Sequence, residues 1–238
     1  MTVKVFLAPV CLLIGLYPAL ASAHGDVAPQ PMNTDALPDI GAEWRIENPY
    51  RDADVETWRA AVRIGASGYN QNCARCHGLE AVSGGLAPDL RKLEASDYGD
   101  EWYVERFRNG ATQNGVTKMP GFDNILNQKA AWAIRTFVET RPADGALTPY
   151  NAELTRIRDA LRAQQADLTA GKTSLARLEP ELARTQARLT AIAAAIPSES
   201  GAARADSIAA RAAQDLDGGA DSLSRAADAL TIGLSAAR

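Results

Sequence analysis

Two cysteines and a histidine fall within five positions in the stretch YNQNCARCHGLE, and this cluster constrains the fold more than any other feature of the sequence. The side chains are Cys73, Cys76 and His77. The chain of 238 residues contains 3 cysteines and 2 histidines, so side chains suited to thiol or metal chemistry are concentrated here. We therefore expect the surrounding chain to fold around whatever this cluster holds.

The first 23 residues have the pattern of a cleaved export signal. Lys4 precedes an apolar run over residues 5–21, which ends in Ala21-Ser22-Ala23, the small-x-small pattern of a signal-peptidase site. A retained membrane anchor is disfavoured, because the run is short for a bilayer and contains two prolines. We expect residues 1–23 to be removed, His24 to begin the mature chain, and the protein to lie in the periplasm of a Gram-negative-type bacterium.

Four interpretations of the cysteine–histidine cluster are possible in an oxidising compartment: a redox dithiol, a structural zinc site, a disulfide and covalent haem attachment. A thioredoxin-like dithiol requires a strand–loop–helix context, whereas the flanks are helical and then irregular. A zinc site needs a second pair of ligands, and the other histidine is His24. A disulfide leaves His77 without a role. Haem attachment uses all three side chains, with Cys73 and Cys76 as thioethers and His77 on iron, and it predicts one haem c.

Met119 is the predicted second axial ligand of that iron. The other methionine of the mature chain, Met32, lies in a proline-rich leader, whereas Met119 lies in the loop VTKMPGF, where Pro120 stiffens the chain. A methionine packed on the core is the structural alternative. A His/Met pair raises the reduction potential and closes the iron to small ligands, which favours electron transfer. An open sixth position would indicate a haem-based sensor or ligand-binding module instead.

Helical periodicity predicts an all-α core of three to four helices over residues 54–141. The first helix is predicted to begin at Asp54, a suitable N-cap, and to end at the cysteines. Residues 98–110 and 127–140 predict two more helices, separated by loops. The leader, residues 24–53, is expected to wrap the fold without joining its core. The predicted apolar faces comprise Trp102, Val104 and Phe107 in the second helix and Ala130, Ile134, Phe137 and Val138 in the last.

The composition changes abruptly after Tyr150. Residues 151–238 contain no Trp, Phe, Tyr, Cys, His or Met, and alanine dominates. Leucine and isoleucine recur with three and four spacing, in an imperfect heptad register. We predict a C-terminal Ala-rich helical hairpin or coiled-coil extension, with Pro180 kinking the first helix, IPSESG ending it and one further helix over residues 202–237. Packing on itself, partial disorder, and a docking or oligomerisation arm remain alternatives.

The segment over residues 54–141 resembles a small class I cytochrome c. The resemblance rests on Gly65, Tyr69, CARCHG, GGLAPDL, Met119-Pro120 and Phe137. It implies that Gly65 allows the first and last helices to cross closely, and that Pro88 offers its carbonyl to the ring N–H of His77. It also implies that Trp102 or Arg106 meets the haem propionates.

A narrower resemblance covers about residues 24–141. The stretches HGDV, EWRIENPYR and GASGYNQNCARCHGLEAVSGGLAPDLR resemble the small periplasmic cytochromes that serve quinoprotein (PQQ-dependent) alcohol dehydrogenases. This implies an electron-transfer protein rather than an enzyme, with such a dehydrogenase as donor and a downstream cytochrome or terminal oxidase as acceptor. A different periplasmic dehydrogenase, bound through the arm, and a scaffold role are the alternatives. The net charge of −4 argues against a nucleic-acid partner, and only transient membrane contact is expected.

Overall fold

The computed structural model describes residues 29–219 and 221–236, and the predicted export signal and His24 lie outside these ranges. The described chain forms two hydrophobic cores, one built from residues up to 138 and one from residues 154 onward. The helices are α1 Val55–Asn72, α2 Ala74–His77, α3 Asp97–Asn109, α4 Gln128–Glu139, α5 Asn151–Thr169, α6 Leu175–Ala194, α7 Ile208–Asp215 and α8 Ser222–Ala236. Short 3₁₀ turns span Leu79–Ala81, Leu90–Lys92 and Thr148–Tyr150.

Helix α1 begins where the sequence predicts it. The Asp54 carboxylate accepts from the backbone N–H groups of Glu56 and Thr57, both at 3.0 Å, which satisfies two of the donors left open at a helix start. Helix α1 crosses α4 at Gly65, where an added Cβ would lie 1.9 Å from the carbonyl oxygen of Ala133. The close crossing implied for Gly65 is therefore confirmed.

Helices α3 and α4 are confirmed, but the apolar face predicted for α3 is partly wrong. Phe107 is buried, whereas Trp102 is 39% exposed and Tyr103 takes its place in the core. On α4 the four predicted core residues are buried together with nearly every other side chain of the helix. Helix α4 is enclosed because α1, α3, the leader and the chain around Ser200 pack against it.

The leader wraps the fold, but the expectation that it stays out of the core is wrong. Leu37, Ile40 and Tyr50 are buried in the first core. The side-chain amide of Asn48 donates to Thr136 Oγ1 at 3.0 Å and to Glu139 Oε1 at 2.9 Å, which fixes the leader against α4. Isolated apolar residues in an irregular segment have no period, so the sequence pattern does not reveal their burial.

The loop predicted over residues 111–122 contains a two-stranded antiparallel hairpin. Its strands are β1 Ala111–Gln113 and β2 Val116–Met119. Asn114 and Gly115 form the turn with φ of 52° and 74°, the left-handed backbone that Asn-Gly favours in hairpins. The Asn-Gly pair was thus the sequence signal for a hairpin here.

The predicted helical extension is present and comprises the four helices α5–α8. Helix α5 packs on α8, and α7 packs on both α6 and α8. The first helix expected in the extension is divided into α5 and α6 by a break at residues 170–174, and α6 runs through Pro180 within its bounds. The single helix expected over residues 202–237 is divided into α7 and α8. The apolar positions are spaced closely enough to bury leucine and alanine between the four helices, so the extension has its own core.

The extension contacts the first part of the chain through the connecting segment, which we define as residues 196–207. Its backbone pairs with the end of α4: the N–H of Ala143 donates to the Pro197 carbonyl at 3.0 Å, and the N–H of Asp206 donates to the Thr140 carbonyl at 2.8 Å. The Arg204 guanidinium lies over the ring of Trp58 at 4.9 Å. In the described residues no helix is both long and apolar enough to span a membrane.

Candidate functional site

The two cysteines and the histidine of the cluster lie on one tight turn. Cys73 ends α1, its N–H donating to the Tyr69 carbonyl at 2.8 Å. The Cys73 carbonyl then accepts from the N–H groups of Cys76 at 3.1 Å and His77 at 3.0 Å, closing the short helix α2. The backbone therefore brings both thiols and the imidazole together, as the spacing of the motif predicts.

His77 is buried, and one of its ring nitrogens is occupied by a backbone oxygen. Its Nδ1 lies 2.9 Å from the Pro88 carbonyl oxygen. A carbonyl oxygen only accepts, so Nδ1 carries the proton in this contact, and in the neutral imidazole the free lone pair is on Nε2. An imidazole held in this tautomer is oriented to bind a metal through Nε2, and the contact implied for Pro88 is confirmed.

The backbone after His77 folds back sharply. Gly78 has φ of 83°, and an added Cβ there would lie 1.9 Å from the Val82 carbonyl oxygen, so only glycine fits this turn. The Tyr69 hydroxyl donates to the Gly78 carbonyl at 2.7 Å. Glu80 and Ala81 follow with φ of 55° and 63°, an uncommon conformation for residues with a Cβ. We define residues 78–82 as the post-histidine loop.

Cys73 is half-buried and lacks the environment of a reactive thiol, whereas Cys76 is exposed. Cys73 and Cys76 are not joined by a disulfide. Burial, with a smaller contribution from Cys76, raises the pKa of the Cys73 thiol to about 12. A thiol that stays protonated is a poor nucleophile and a poor zinc ligand. Within residues 29–219 and 221–236 no group of three or more His, Cys, Asp and Glu side chains could hold a metal ion. The donor set instead fits haem, which needs two thiols for thioether bonds and one imidazole for iron.

Met119 lies at the end of β2, half-buried against the first core. The chain at Met119 lies directly against the end of α3, because two glycines there have no side chain. An added Cβ at Gly110 would lie 2.3 Å from the Met119 carbonyl oxygen, and one at Gly121 would lie 2.3 Å from the Arg108 carbonyl oxygen. Met32 has a different environment, because its Sδ would lie 2.2 Å from a Cβ added at Gly68 on α1. The thioether of Met32 therefore fills the space above a helix glycine.

Trp102 and Arg106 lie together on the surface of α3. The Arg106 guanidinium lies 5.5 Å from the centre of the Trp102 ring, and its Nε lies 3.4 Å from a Glu105 carboxylate oxygen. Both side chains are about two-fifths exposed. Their proposed contact with the haem propionates stays a prediction.

The sequence analysis missed an arginine that holds the backbone beside Pro88. Arg91 is 4% exposed, its Nη2 pairs with Asp89 Oδ2 at 2.6 Å, and its Nη1 pairs with Asp144 Oδ1 at 2.6 Å. These bonds fix the residue next to the carbonyl that accepts from His77. An arginine two residues after an aspartate is a weak local signal, and the partner at position 144 is visible only in the fold.

Comparisons with known proteins identify the class to which the chain belongs. The family model described as Cytochrome C oxidase, cbb3-type, subunit III matches residues 60–138. Cytochrome c550 of Pseudomonas aeruginosa is 53% identical over 126 residues, which cover 53% of this chain and 86% of that protein. The chain therefore belongs to the class I c-type cytochromes. It is a monohaem electron-transfer protein, not an enzyme, and its cofactor is covalently bound haem c.

Two further relatives are much larger proteins. Quinohemoprotein alcohol dehydrogenase ADH IIB of Pseudomonas putida is 33% identical over 91 residues, 38% of this chain and 13% of that protein. Quinohemoprotein alcohol dehydrogenase ADH-IIG of the same species is 32% identical over 85 residues, 36% of this chain and 11% of that protein. No solved structure gives a significant match.

Proposed function

We propose that this cytochrome accepts single electrons from a quinoprotein (PQQ-dependent) alcohol dehydrogenase and passes them to a downstream cytochrome or terminal oxidase. The observation that carries the proposal is the similarity of this chain to a small segment of two quinohemoprotein alcohol dehydrogenases. Those proteins contain the similar segment within the dehydrogenase chain. The similarity of the haem-binding segment to a part of these dehydrogenases supports a donor of this class.

The electron count fixes the stoichiometry of the proposed step. Oxidation of an alcohol to an aldehyde releases two electrons and two protons, and one haem iron takes up one electron. Two molecules of the cytochrome are therefore reduced for each alcohol oxidised, and the protons leave to solvent from the dehydrogenase. The haem iron supplies the redox chemistry by cycling between its ferrous and ferric states.

The residues proposed to hold the haem are Cys73 and Cys76, as thioethers, and His77 and Met119, as axial ligands. The single turn that joins Cys73, Cys76 and His77 supports the first three assignments. The hydrogen bond from His77 Nδ1 to Pro88 supports binding of iron through Nε2. The clamped backbone of Met119 and the packing of Met32 on Gly68 favour Met119 over Met32 as sixth ligand. A thioether ligand stabilises ferrous iron, which suits an electron acceptor.

The proposed organisation follows from the same assignment. Residues 1–23 form a cleaved signal, 24–53 a leader, 54–141 the cytochrome domain and 151–238 the helical extension. Covalent attachment of haem and the proposed periplasmic donor support a periplasmic location for the mature protein. The extension is proposed as part of the cytochrome's own structure, because the connecting segment pairs with the backbone at the end of α4.

Stopped-flow reduction tests the donor. The oxidised haem protein is mixed with a purified quinoprotein alcohol dehydrogenase and ethanol, and the appearance of the ferrous spectrum is followed. We expect reduction at least tenfold faster than with the same dehydrogenase lacking alcohol or with a generic small-molecule reductant at matched driving force. Equal rates would refute the donor assignment and leave the electron-carrier function intact.

A further inference from the structure

The C-terminal extension reaches the post-histidine loop through four charged side chains. We define Glu80, Arg141, Asp206 and Arg211 as the proximal ion network. Glu80 belongs to the post-histidine loop and Arg141 follows α4, whereas Asp206 and Arg211 belong to the connecting segment and α7. Among the described residues, Arg211 is the residue of the extension that forms an ion pair with the post-histidine loop.

Arg141 is the centre of this network. Its guanidinium is 1% exposed, its Nη1 donates to Glu80 Oε2, and its Nη2 donates to Asp206 Oδ2 at 2.5 Å. Arg211 Nη2 lies 2.8 Å from the same Asp206 oxygen and 3.5 Å from Glu80 Oε2. A buried guanidinium is stabilised only while its carboxylate partners stay in place, so the network holds Glu80 against the extension.

A second connection runs from Arg141 to the same loop through aromatic rings. The Arg141 guanidinium lies 4.0 Å from the centre of the Phe137 ring, and its Nε donates to the Phe137 carbonyl at 3.0 Å. Phe137 packs on Tyr69 with ring centres 5.2 Å apart. The Tyr69 hydroxyl in turn donates to the Gly78 carbonyl. Arg141 is therefore linked to Glu80 directly and to Gly78 through Phe137 and Tyr69.

The loop that receives these contacts is in an unfavourable backbone conformation. Left-handed φ angles at Glu80 and Ala81 are strained for residues with a Cβ and persist only where the surroundings impose them. The loop's own backbone bonds are few: the N–H of Gly78 donates to Ala74 and that of Val82 to Leu79. Ala81 is held by burial in the first core, and the ion pair between Glu80 and Arg141 restrains the residue before it.

We propose that Arg141, held by Asp206 of the extension, is a positioning residue for the post-histidine loop and thereby sets the reduction potential of the haem. The inference rests on the proposed role of His77 as an iron ligand. The loop follows His77 directly, so its conformation determines how the imidazole is held and how much water reaches the haem on that side. The extension is then a device for tuning the cytochrome, in addition to any contact with partners.

A charge-conserving variant of the intact haem protein, with a matched control, tests this inference. In Arg141→Lys the positive charge stays, but an ammonium group cannot span Glu80 and Asp206 as a planar guanidinium does. The matched control is Arg188→Lys, which disrupts a two-bond pair with Glu153 at 2.7 Å and 2.8 Å on the exposed face of the extension.

We expect Arg141→Lys to lower the equilibrium constant for haem reduction at least threefold, about 28 mV at 59 mV per tenfold change. The fall follows because a loosened loop admits water, which favours the more highly charged ferric form. Amide exchange at Val82 should accelerate at least tenfold. Arg188→Lys should change neither quantity. Unchanged potential and unchanged exchange in Arg141→Lys would overturn the inference.

A second variant covers the case in which Arg141→Lys does not fold. Glu80→Gln alters the half-exposed member of the network, and it should also accelerate exchange at Val82 at least tenfold, whereas the exposed control Glu153→Gln should not. If the amide of Val82 exchanges as slowly in Glu80→Gln as in the wild type, the inference is overturned. The wild-type spectrum separates the two proposals: absence of attached haem or of a methionine–iron band refutes the ligand set, whereas an intact spectrum with an unaffected variant refutes the positioning role alone.

Discussion

The imidazole Nδ1 of His77 lies 2.9 Å from the carbonyl oxygen of Pro88. This hydrogen bond selects the tautomer and the orientation that the proposed binding of iron through Nε2 requires. The Asp89–Arg91 pair fixes the chain beside Pro88, and the Tyr69 hydroxyl fixes the chain beside His77. The proximal side of the site is therefore held by contacts on both sides of the histidine.

Replacement of Met119 should change the reduction potential, and replacement of Met32 should not. Met119→Ala removes the proposed thioether ligand, so the reduction potential should fall by more than about 59 mV, a tenfold change in the reduction equilibrium. Met32→Leu fills similar space above Gly68 and should leave the potential unchanged. Redox titration of both variants measures the difference. A normal potential in Met119→Ala would show that another group occupies the sixth position.

Covalent haem should depend on the two thiols. In Cys73→Ala/Cys76→Ala no thioether can form, so haem should be lost from the chain when the protein is denatured. Each single variant should retain haem through one bond. Haem staining after denaturing electrophoresis gives the result directly. Haem that stays on the denatured double variant would contradict the attachment site.

Gly65→Ala should destabilise the fold, because the new methyl group would lie 1.9 Å from a backbone oxygen of Ala133. Overpacking against backbone should lower the free energy of unfolding by about 2 kcal/mol or more, despite the better helix propensity of alanine. Gly84→Ala is the matched control, since nothing lies within 4 Å of its added Cβ. Urea unfolding of both variants measures the effect. Equal stability would mean that α1 and α4 do not cross closely at this point.

Asp100→Asn should be strongly destabilising. Asp100 and Arg135 are both 0% exposed and lie 2.9 Å apart, and Arg51 also pairs with Asp100 at 2.7 Å. Loss of the carboxylate leaves Arg135 with a weaker partner in the interior, which should cost about 3–5 kcal/mol. The exposed pair of Glu56 and Arg59 provides the control, since Glu56→Gln should change the free energy of unfolding by less than about 0.5 kcal/mol. Similar small effects in both variants would contradict a buried, structural role for Asp100.

Acid should weaken the attachment of the extension through Asp206. Burial opposes ionisation of this carboxyl, but Arg141 and Arg211 outweigh burial and hold the pKa of Asp206 below its ordinary value. A lowered folded-state pKa gives stability that is complete above the unfolded value of about 3.9 and is lost as pH falls through the folded value.

Replacement of Asp206 by asparagine isolates the stability that its ionised carboxylate provides. Asp206→Asn should lower the free energy of unfolding at pH 7 by about 3 kcal/mol. The difference between this variant and the wild type should narrow as the pH falls below the unfolded-state pKa of about 3.9. Asp228→Asn removes an exposed carboxylate from the same extension and should track the wild type at both pH values. A constant difference between Asp206→Asn and the wild type across the acid range would contradict the linkage.

Local signals in the sequence were sufficient for α1, α3 and α4 and for the cysteine–histidine turn. Asp54 caps α1 as its side chain predicts, and Gly110 ends α3 with a left-handed φ of 69°. The contact between His77 and Pro88 followed from the resemblance to class I cytochromes. Such features depend on residues close in sequence or on a motif of fixed spacing, so they can be predicted without the fold.

Features that depend on distant pairing were not predicted. The bond between Asn48 and Glu139 joins positions 91 residues apart, and the pair of Arg141 and Asp206 joins positions 65 apart. Neither pair has a periodic pattern, because single polar residues find their partners only when the chain is folded. Trp102 was misplaced because a helix turn presents either residue 102 or residue 103 inward, and the tertiary packing selects Tyr103.

Carbon monoxide binding to the intact, reduced protein tests the central claim most directly. If His77 and Met119 both bind the iron, the oxidised protein shows a methionine–iron band near the red end of the spectrum, and the reduced protein does not bind carbon monoxide without denaturant. Binding of carbon monoxide to the native reduced protein would show an open sixth position and contradict a closed electron carrier.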